Sequence, residues 1–404
     1  MQPCHTHMNC PAATTLRLRL ASVAEVRELP AWREGMQHLA KDHRYHEIVA
    51  DTLGFDCRAV VFEDTAGAVI AIQPCFLVEQ DLVIASPRPI RAMAASIRRL
   101  FSSFLRPKIL MVGCAAGEGH LTAPAGSIEP TQDALKKFAR ESGAKLIVWK
   151  DVPAGYRESL RALKQAPANC AHVASMPATR LPLEFTSFDD YLARRLSHAM
   201  RKNLRRKFKA TAAAAPSLTM TVTNDLGEEV DEALGLYEQV FARSRMQFEH
   251  LNKPFLQQLA ARMSDRVRFF LWRQEGRLVA FSLCFVHKGV IYDEYLGLDY
   301  RVALDLHLYF ITFRDVLTWA IEQKLAAYHS TPLNYEPKLR LGFDLHPLDL
   351  YFAFPWAGLN RLARPFMGLA SPTGAEPVLA QFANARDMET NGRGRTFQPA
   401  SSPN

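Results

Sequence analysis

Residues Arg268–Leu298 read RFFLWRQEGRLVAFSLCFVHKGVIYDEYLGL. Aromatic and β-branched runs are broken by Glu275-Gly276 and by Lys288-Gly289, two turn-forming pairs. The pattern predicts strand, turn, strand, turn, strand. An earlier stretch from Arg58, RAVVFEDTAGAVIAIQPCFLVEQDLVI, aligns with it after short gaps. Each copy starts with Arg and an apolar strand, turns at a Gly, and continues into a second strand holding a Cys. Helical patterns precede each copy, and a helix-then-strand unit follows each. A repeated supersecondary unit at this separation points to a duplicated domain.

Working outward, Leu16–Leu20 alternates as LRLRL, a half-buried strand, and a helical region covers about Val23–Leu53. Lys108–Cys114 is a further strand, Thr131–Gly143 an amphipathic helix, Ala144–Trp149 a buried strand, and Thr179–Phe185 another strand. In the second half, Leu218–Thr223 reads as a strand and Glu228–Ser244 and Pro254–Met263 as helices. A long helix is expected over about Ala303–Lys324, with strands at Ala326–Ser330 and Leu348–Phe354. The expected division is 1–15 disordered, 16–180 a first domain, 181–366 a second, and 367–404 a disordered tail.

Between the copies lies TSFDDYLARRLSHAMRKNLRRKFKATAAAA, Thr186–Ala215. Ser187 can cap a helix, with Asp190 three residues on, and Leu192, Leu196, Met200, Leu204 and Phe208 make one apolar stripe. From Arg194 to Lys209 there are eight Lys or Arg and no acid. A helix needing only solubility mixes signs, because opposite charges four apart support each other. This one reads either as a solvated basic face or as a polyanion patch.

With 404 residues, two domains are the natural expectation. A hydrophobic fraction of 48% with 22% charged residues describes an ordinary globular chain, and the net charge of +8 favours anionic partners. Seven irregularly spaced Cys argue against a disulfide framework. No signal-peptide layout and no membrane-length apolar run is present, so a cytoplasmic location is expected. Cys4, His5, His7 and Cys10 crowd together, but structural zinc sites draw on two separated ligand pairs. His38, His43 and His46 do not share one helical face. No metal is expected.

The string LSHAMRKNLRRKFKA, an alternating strand, the helix with YEQVFARSR, the Arg268–Leu298 meander, a long helix and LNYEPKLRLGF follow in order. Over about Thr179–Phe354 this series resembles the tandem-GNAT acyltransferases, a group that includes the Fem-type peptidoglycan aminoacyl transferases. Its most specific pieces are the basic run Arg201–Arg206 and the spacing of Tyr335, Lys338 and Gly342. The resemblance implies an α/β (α+β) fold of two GNAT-like domains, each a mixed, mostly antiparallel sheet flanked by helices. It also implies transfer of an acyl group from a carrier to an amine. The carrier is acyl-CoA in most such enzymes and aminoacyl-tRNA in the Fem type. The Gly-rich pyrophosphate loop of single-domain members is missing where this chain reads LGLDYRVALDL, and so is the helical coiled-coil arm of some Fem enzymes.

Amine acylation needs a proton acceptor and donors for the tetrahedral oxyanion. Asp293, Glu294 and His307 are the candidate bases; strand alternation sends Asp293 and Glu294 to opposite faces, and Asp293 is preferred. Tyr335 can serve as leaving-group acid, and Lys338 can hold the oxyanion or a carrier phosphate. Alternatively LNYEPKLRLGF is a structural loop in which Gly342 takes an unusual backbone angle. Arg201, Arg205, Arg206, Lys209 and His307 are the expected carrier contacts. Cys284 lies on a buried strand with no His at useful spacing, which argues against a thiol nucleophile. The leading expectation is an N-acyltransferase using an acyl-CoA or acyl carrier protein thioester, acting on a small-molecule or envelope-precursor amine. The alternatives are an aminoacyl-tRNA-dependent transferase and a non-catalytic module binding RNA or an acidic surface.

Overall fold

The computed structural model describes residues 16–81, 88–99, 104, 106–244, 247–356, 358–362 and 372–389. Fourteen strands among them form two sheets of seven. The strands are β1 (Arg17–Ser22), β2 (Asp56–Glu63), β3 (Val69–Glu79), β4 (Lys108–Val112), β5 (Leu146–Pro153), β6 (Ala171–Ala174) and β7 (Ala178–Pro182). They continue with β8 (Thr219–Thr223), β9 (Val267–Gln274), β10 (Arg277–His287), β11 (Val290–Leu298), β12 (Ala327–Ser330), β13 (Asp344–His346) and β14 (Leu348–Ala353).

The first sheet runs β1-β2-β3-β4-β5-β14-β6 and the second β8-β9-β10-β11-β12-β7-β13. Both are antiparallel except for one parallel pair each, β4 with β5 and β11 with β12. That parallel pair requires a crossover, supplied by the helix Ile128–Glu141 in the first unit and Leu308–Glu322 in the second. The sheets therefore repeat one topology, as the paired meanders predict. The third strand expected in the first meander, at residues 82–84, lies outside the described residues.

Chain order and sheet membership part company in one respect. β7, from the end of the first half, pairs with β12 and β13; β14, from the end of the second half, pairs with β5 and β6. Each half lends the other its closing strand. The expected boundary at residue 180 cuts through β7, and β14 falls inside the 181–366 range while belonging to the first sheet. Strand pairing is set by which open edge a segment meets, and sequence order does not carry that information.

The halves also share a core. Tyr45, Ile48 and Phe76 of the first pack with Phe255, Phe269 and Phe285 of the second. The helix His43–Thr52 lies along Lys253–Met263, and Arg44 binds Asp265 at 2.8 Å while Arg262 pairs with Glu47. Each fully buried aromatic ring contributes about 1.5–3 kcal/mol, so this seam is a substantial part of the stability.

Three local readings change. The basic stretch is two helices, Phe188–Arg195 and His198–Ala214, because Leu196 is extended and the Ser197 hydroxyl caps the second by accepting from the Met200 amide. Its stripe still docks: Leu192, Leu196, Met200 and Leu204 are buried. LNYEPKLRLGF holds a short helix, Tyr335–Arg340, and Gly342 has φ of +74°, the left-handed geometry glycine tolerates best. Of the tail expected to be disordered, residues 372–389 form three short turns, with Leu379 and Phe382 buried against Tyr335 and Leu345. Residues 1–15, with Cys4, His5, His7 and Cys10, lie outside the described residues. Among the described residues no helix is long and apolar enough to cross a membrane.

Candidate active site

The seam between the two units encloses a cavity of about 250 Å³. One wall comes from the segment around Leu39, Lys41 and His46, a second from the loop after β4 with Cys114, Glu118 and His120, and a third from Tyr292 and Glu294 of β11. Strand alternation does split Asp293 from Glu294, but the acid that reaches the cleft is Glu294.

Glu294 occupies an irregular place in its strand. Cys284 of β10 stands opposite Asp293 and Leu283 opposite Tyr295, so Glu294 is the extra residue of a β-bulge. The parallel register with β12 covers only Val290–Asp293, and beyond it β11 runs on without that neighbour. Bulges bend a strand, re-aim a side chain and interrupt the ladder, and they concentrate beside active sites.

In the cavity, Lys41 Nζ lies 3.0 Å from a Glu294 carboxylate oxygen and donates to the Ala116 carbonyl at 3.0 Å. Burial opposes the Lys41 charge, but Glu294 outweighs it and holds the ammonium above its ordinary range. The Gly113–His120 loop is gripped from several sides. The Tyr45 hydroxyl donates to Ala116 O at 2.8 Å, and Lys150 donates to Gly117 O at 2.9 Å while pairing with Asp151 at 2.7 Å. A Cβ on Gly119 would lie 2.2 Å from the Lys150 carbonyl, so only glycine permits this close approach to β5.

Glu118 projects from that loop toward the second unit. One carboxylate oxygen lies 3.5 Å from His329 Nε2 and the other 3.8 Å from His346 Nε2. Burial, then the charge of Glu294, raises the Glu118 carboxyl to about 8. Burial also lowers the imidazoles: His120 to about 3, His46 to about 4, His346 to about 4 with help from Arg180, and His329 well below its usual value. The cavity is thus ringed by neutral imidazoles with one strong ion pair at its floor.

The other residues singled out in the sequence have different surroundings. Asp293, behind the strand, accepts from the hydroxyls of Ser282 and Tyr328 and lies beside Cys284. Lys338 is buried, donates to the Thr331 carbonyl and faces Asp293; burial lowers its amine to about 7. Tyr335 is buried and donates to the Pro177 carbonyl at 2.8 Å. Neither Tyr335 nor Lys338 lines the cavity. Cys284 is fully buried, and burial raises its thiol well above the ordinary range.

On the basic helix, Lys202, Arg205, Arg206 and Lys209 are exposed, whereas Arg201 donates to the carbonyls of Ala193 and Leu196 at 3.1 and 2.9 Å. The helix is tied to the loop after β11, since Thr211 donates to the Leu306 carbonyl at 2.9 Å. His307 stands at the N-terminus of Leu308–Glu322, where burial, then Lys207 and Arg206, lower its imidazole.

Sequence reading overlooked Lys41, Glu118, His329 and His346. For Glu118 a signal existed in VGCAAGEGH, where Gly113, Gly117 and Gly119 mark a backbone that must pass close to something. The other three carry no local signal, because their meeting depends on the seam.

Residues 198–338 match the family model described as an acetyltransferase (GNAT) domain. No curated protein matches the sequence. Among solved structures the chain is similar to FemX, at 11% identity and a TM-score of 0.49, covering 87% of this chain and 99% of that one. A tandem GNAT protein from the clavulanic acid biosynthesis pathway aligns at 12% identity and a TM-score of 0.48, over 84% and 99% of the two chains. L-PGS from Bacillus licheniformis aligns at 11% identity and a TM-score of 0.46, over 81% and 96%. The GNAT acetyltransferase match thus falls on the segment that supplies β8–β12, five of the seven strands of the second sheet, and the first sheet repeats that sheet's topology.

Proposed function

We propose that the chain is an N-acyltransferase that moves an acyl group from a phosphate-bearing thioester, acyl-CoA or an acyl carrier protein, to an amine bound in the cavity. The observation that carries the reading is the bulge at Glu294, inside the segment matching the GNAT model, where β11 parts from β12 and turns a carboxylate into the cavity. The amine nitrogen bonds to the acyl carbon and the carbon–sulfur bond breaks. Glu294 takes the amine proton and passes it to the departing thiolate, while Lys41 fixes the carboxylate. The strand edge beyond Asp293 offers backbone donors for the oxyanion. Asp293, faced by Lys338, acts from behind the strand as a positioning residue, and Tyr335, bonded to the Pro177 carbonyl, anchors the short helix that carries Lys338.

The carrier's phosphates are assigned to the N-terminus of the Leu308–Glu322 helix, with Arg206 beside it, Arg205 and Lys209 farther along the same basic helix, and His307 as a neutral hydrogen-bonding group. Arg201, whose guanidinium is engaged with carbonyls, holds the two basic helices together. A second reading, aminoacyl-tRNA as the donor and an envelope precursor as the acceptor, is favoured by the exposure of Lys202, Arg205, Arg206 and Lys209 on one acid-free helix. Either reaction suits a cytoplasmic protein.

Thermal shift of the full chain with CoA, acyl-CoA, and charged and uncharged tRNA separates the readings. Stabilisation by thioesters alone supports the first, and stabilisation by charged tRNA alone supports the second. No response to any donor returns the chain to the class of non-catalytic binding modules.

A further inference from the structure

We propose that Glu118, His329 and His346 form a binding site for a divalent transition-metal ion of the zinc class on the wall of the cavity. The three side chains come from three places in the fold: the loop after β4, β12 and β13. Their ligand atoms all lie within 4.8 Å of one another, with His329 Nε2 and His346 Nε2 at 3.5 and 3.8 Å from separate oxygens of one carboxylate. Donors that each sit about 2.0–2.2 Å from a tetrahedral zinc stand about 3.3–3.6 Å apart, so a small contraction brings this set onto an ion.

The sheet explains why the two imidazoles meet. β12 and β13 flank β7 on opposite sides, with His329 opposite Arg180 and His346 opposite Ala178. Arg180 and Ala178 are two apart on β7, so the histidines share one face of the sheet. Ala178 presents only a methyl group on that face, which Arg180 shares, and the rings come to 4.9 Å at an angle of 78°. Glu118 closes the set from the first unit and also lines the cavity. Two imidazoles and a carboxylate suit zinc or another first-row divalent ion, and three protein ligands leave a coordination position for a ligand in the cavity. The assignment rests on the donor geometry and does not need the acyl-transfer reading.

The test is metal binding by the full chain carrying Cys4→Ser and Cys10→Ser, which removes the N-terminal thiols as competing ligands. Chelator-treated protein is titrated with zinc chloride, and bound metal is counted after gel filtration. Cobalt(II) absorption gives a second readout of nitrogen and oxygen ligation. The expected result is about one zinc per chain. Glu118→Gln, His329→Ala and His346→Gln should each weaken binding by more than the roughly tenfold that loss of a ligand's hydrogen-bond partner costs, since each removes a ligand itself. His346, whose side chain is the most exposed of the three at 28%, provides the variant least liable to misfold, checked by its melting curve. Stoichiometry well below one, or binding unchanged in a folded His346→Gln protein, overturns the proposal.

Discussion

Lys41 Nζ lies 3.0 Å from Glu294 Oε2, an ion pair that bridges the two units across the cavity floor, with both side chains about one-tenth exposed. Removing one partner of such a pair strands the other charge out of water, which costs about 3–5 kcal/mol. Lys41→Met should therefore destabilise strongly in urea unfolding. Lys41→Met/Glu294→Gln should recover much of the loss, because neither charge is then left alone. If the double variant is no more stable than Lys41→Met, the pair is not what holds the floor. Acyl transfer should be lost in Glu294→Gln, which strands Lys41 and is destabilised in turn, when it is assayed well below its own melting temperature.

The reciprocal strand exchange makes a second prediction. Arg157 pairs with Asp349 of β14 at 2.6 Å and donates to the backbone carbonyls of Asp387 and Glu389, at 3.0 and 3.2 Å. Asp349 is 1% exposed. Arg157→Met should cost about 3 kcal/mol or more and release residues 372–389 to limited proteolysis. Ending the chain at Pro347 should raise amide exchange in β5 and β6, strands of the first unit, since both lose a ladder partner. Exchange confined to the second unit would contradict the pairing.

How much of this was legible in the residues themselves follows from their periods. The meanders at Arg58 and Arg268 announced two copies of one unit because alternation and Gly turns are local properties. The stripe through Leu192 and Leu204 was equally readable, and only the break at Ser197 was not, since a serine within a basic run can cap a helix or sit inside it. The exchange of β7 and β14 left no trace, because an apolar strand carries no label for the edge it joins. For the site, alternation separated Asp293 from Glu294 but could not say which face met the other unit. Motif spacing points to Tyr335 and Lys338, yet Tyr335 is held by Pro177 and the C-terminal turns, which lie elsewhere in the chain, and only the Lys338 bond to Thr331 is local.

The basic helix offers a prediction in which binding and stability separate. Arg205 and Lys209 are exposed, so Arg205→Glu/Lys209→Glu should change unfolding stability by no more than about 0.5 kcal/mol. The same reversal should weaken a phosphate-bearing donor by about tenfold or more at low ionic strength, with the gap narrowing as salt is added. Fluorescence titration with CoA and with tRNA across a salt series measures both. An affinity that ignores the reversal moves the carrier site off this helix.

Lys338 gives the pH dependence. Burial brings its amine down to about 7 in the fold, against about 10.5 for a free lysine. Burial penalises the charged form, and Asp293 offsets only part of that. Between about pH 7 and 10.5 the unfolded chain keeps a proton that the folded chain has shed, so stability rises with pH. The slope approaches about 1.4 kcal/mol per pH unit within that window and is flat below it, where both states hold the proton. Lys338→Met removes the contribution. The variant should lead the wild type by most below pH 7, and its lead should shrink steadily toward pH 10. The loss of the bond to the Thr331 carbonyl lowers the variant by a constant amount, so the changing difference between the two curves is the signature. Urea midpoints measured from about pH 6 to about pH 10 give that difference, and parallel curves would show that the amine stays protonated within the fold.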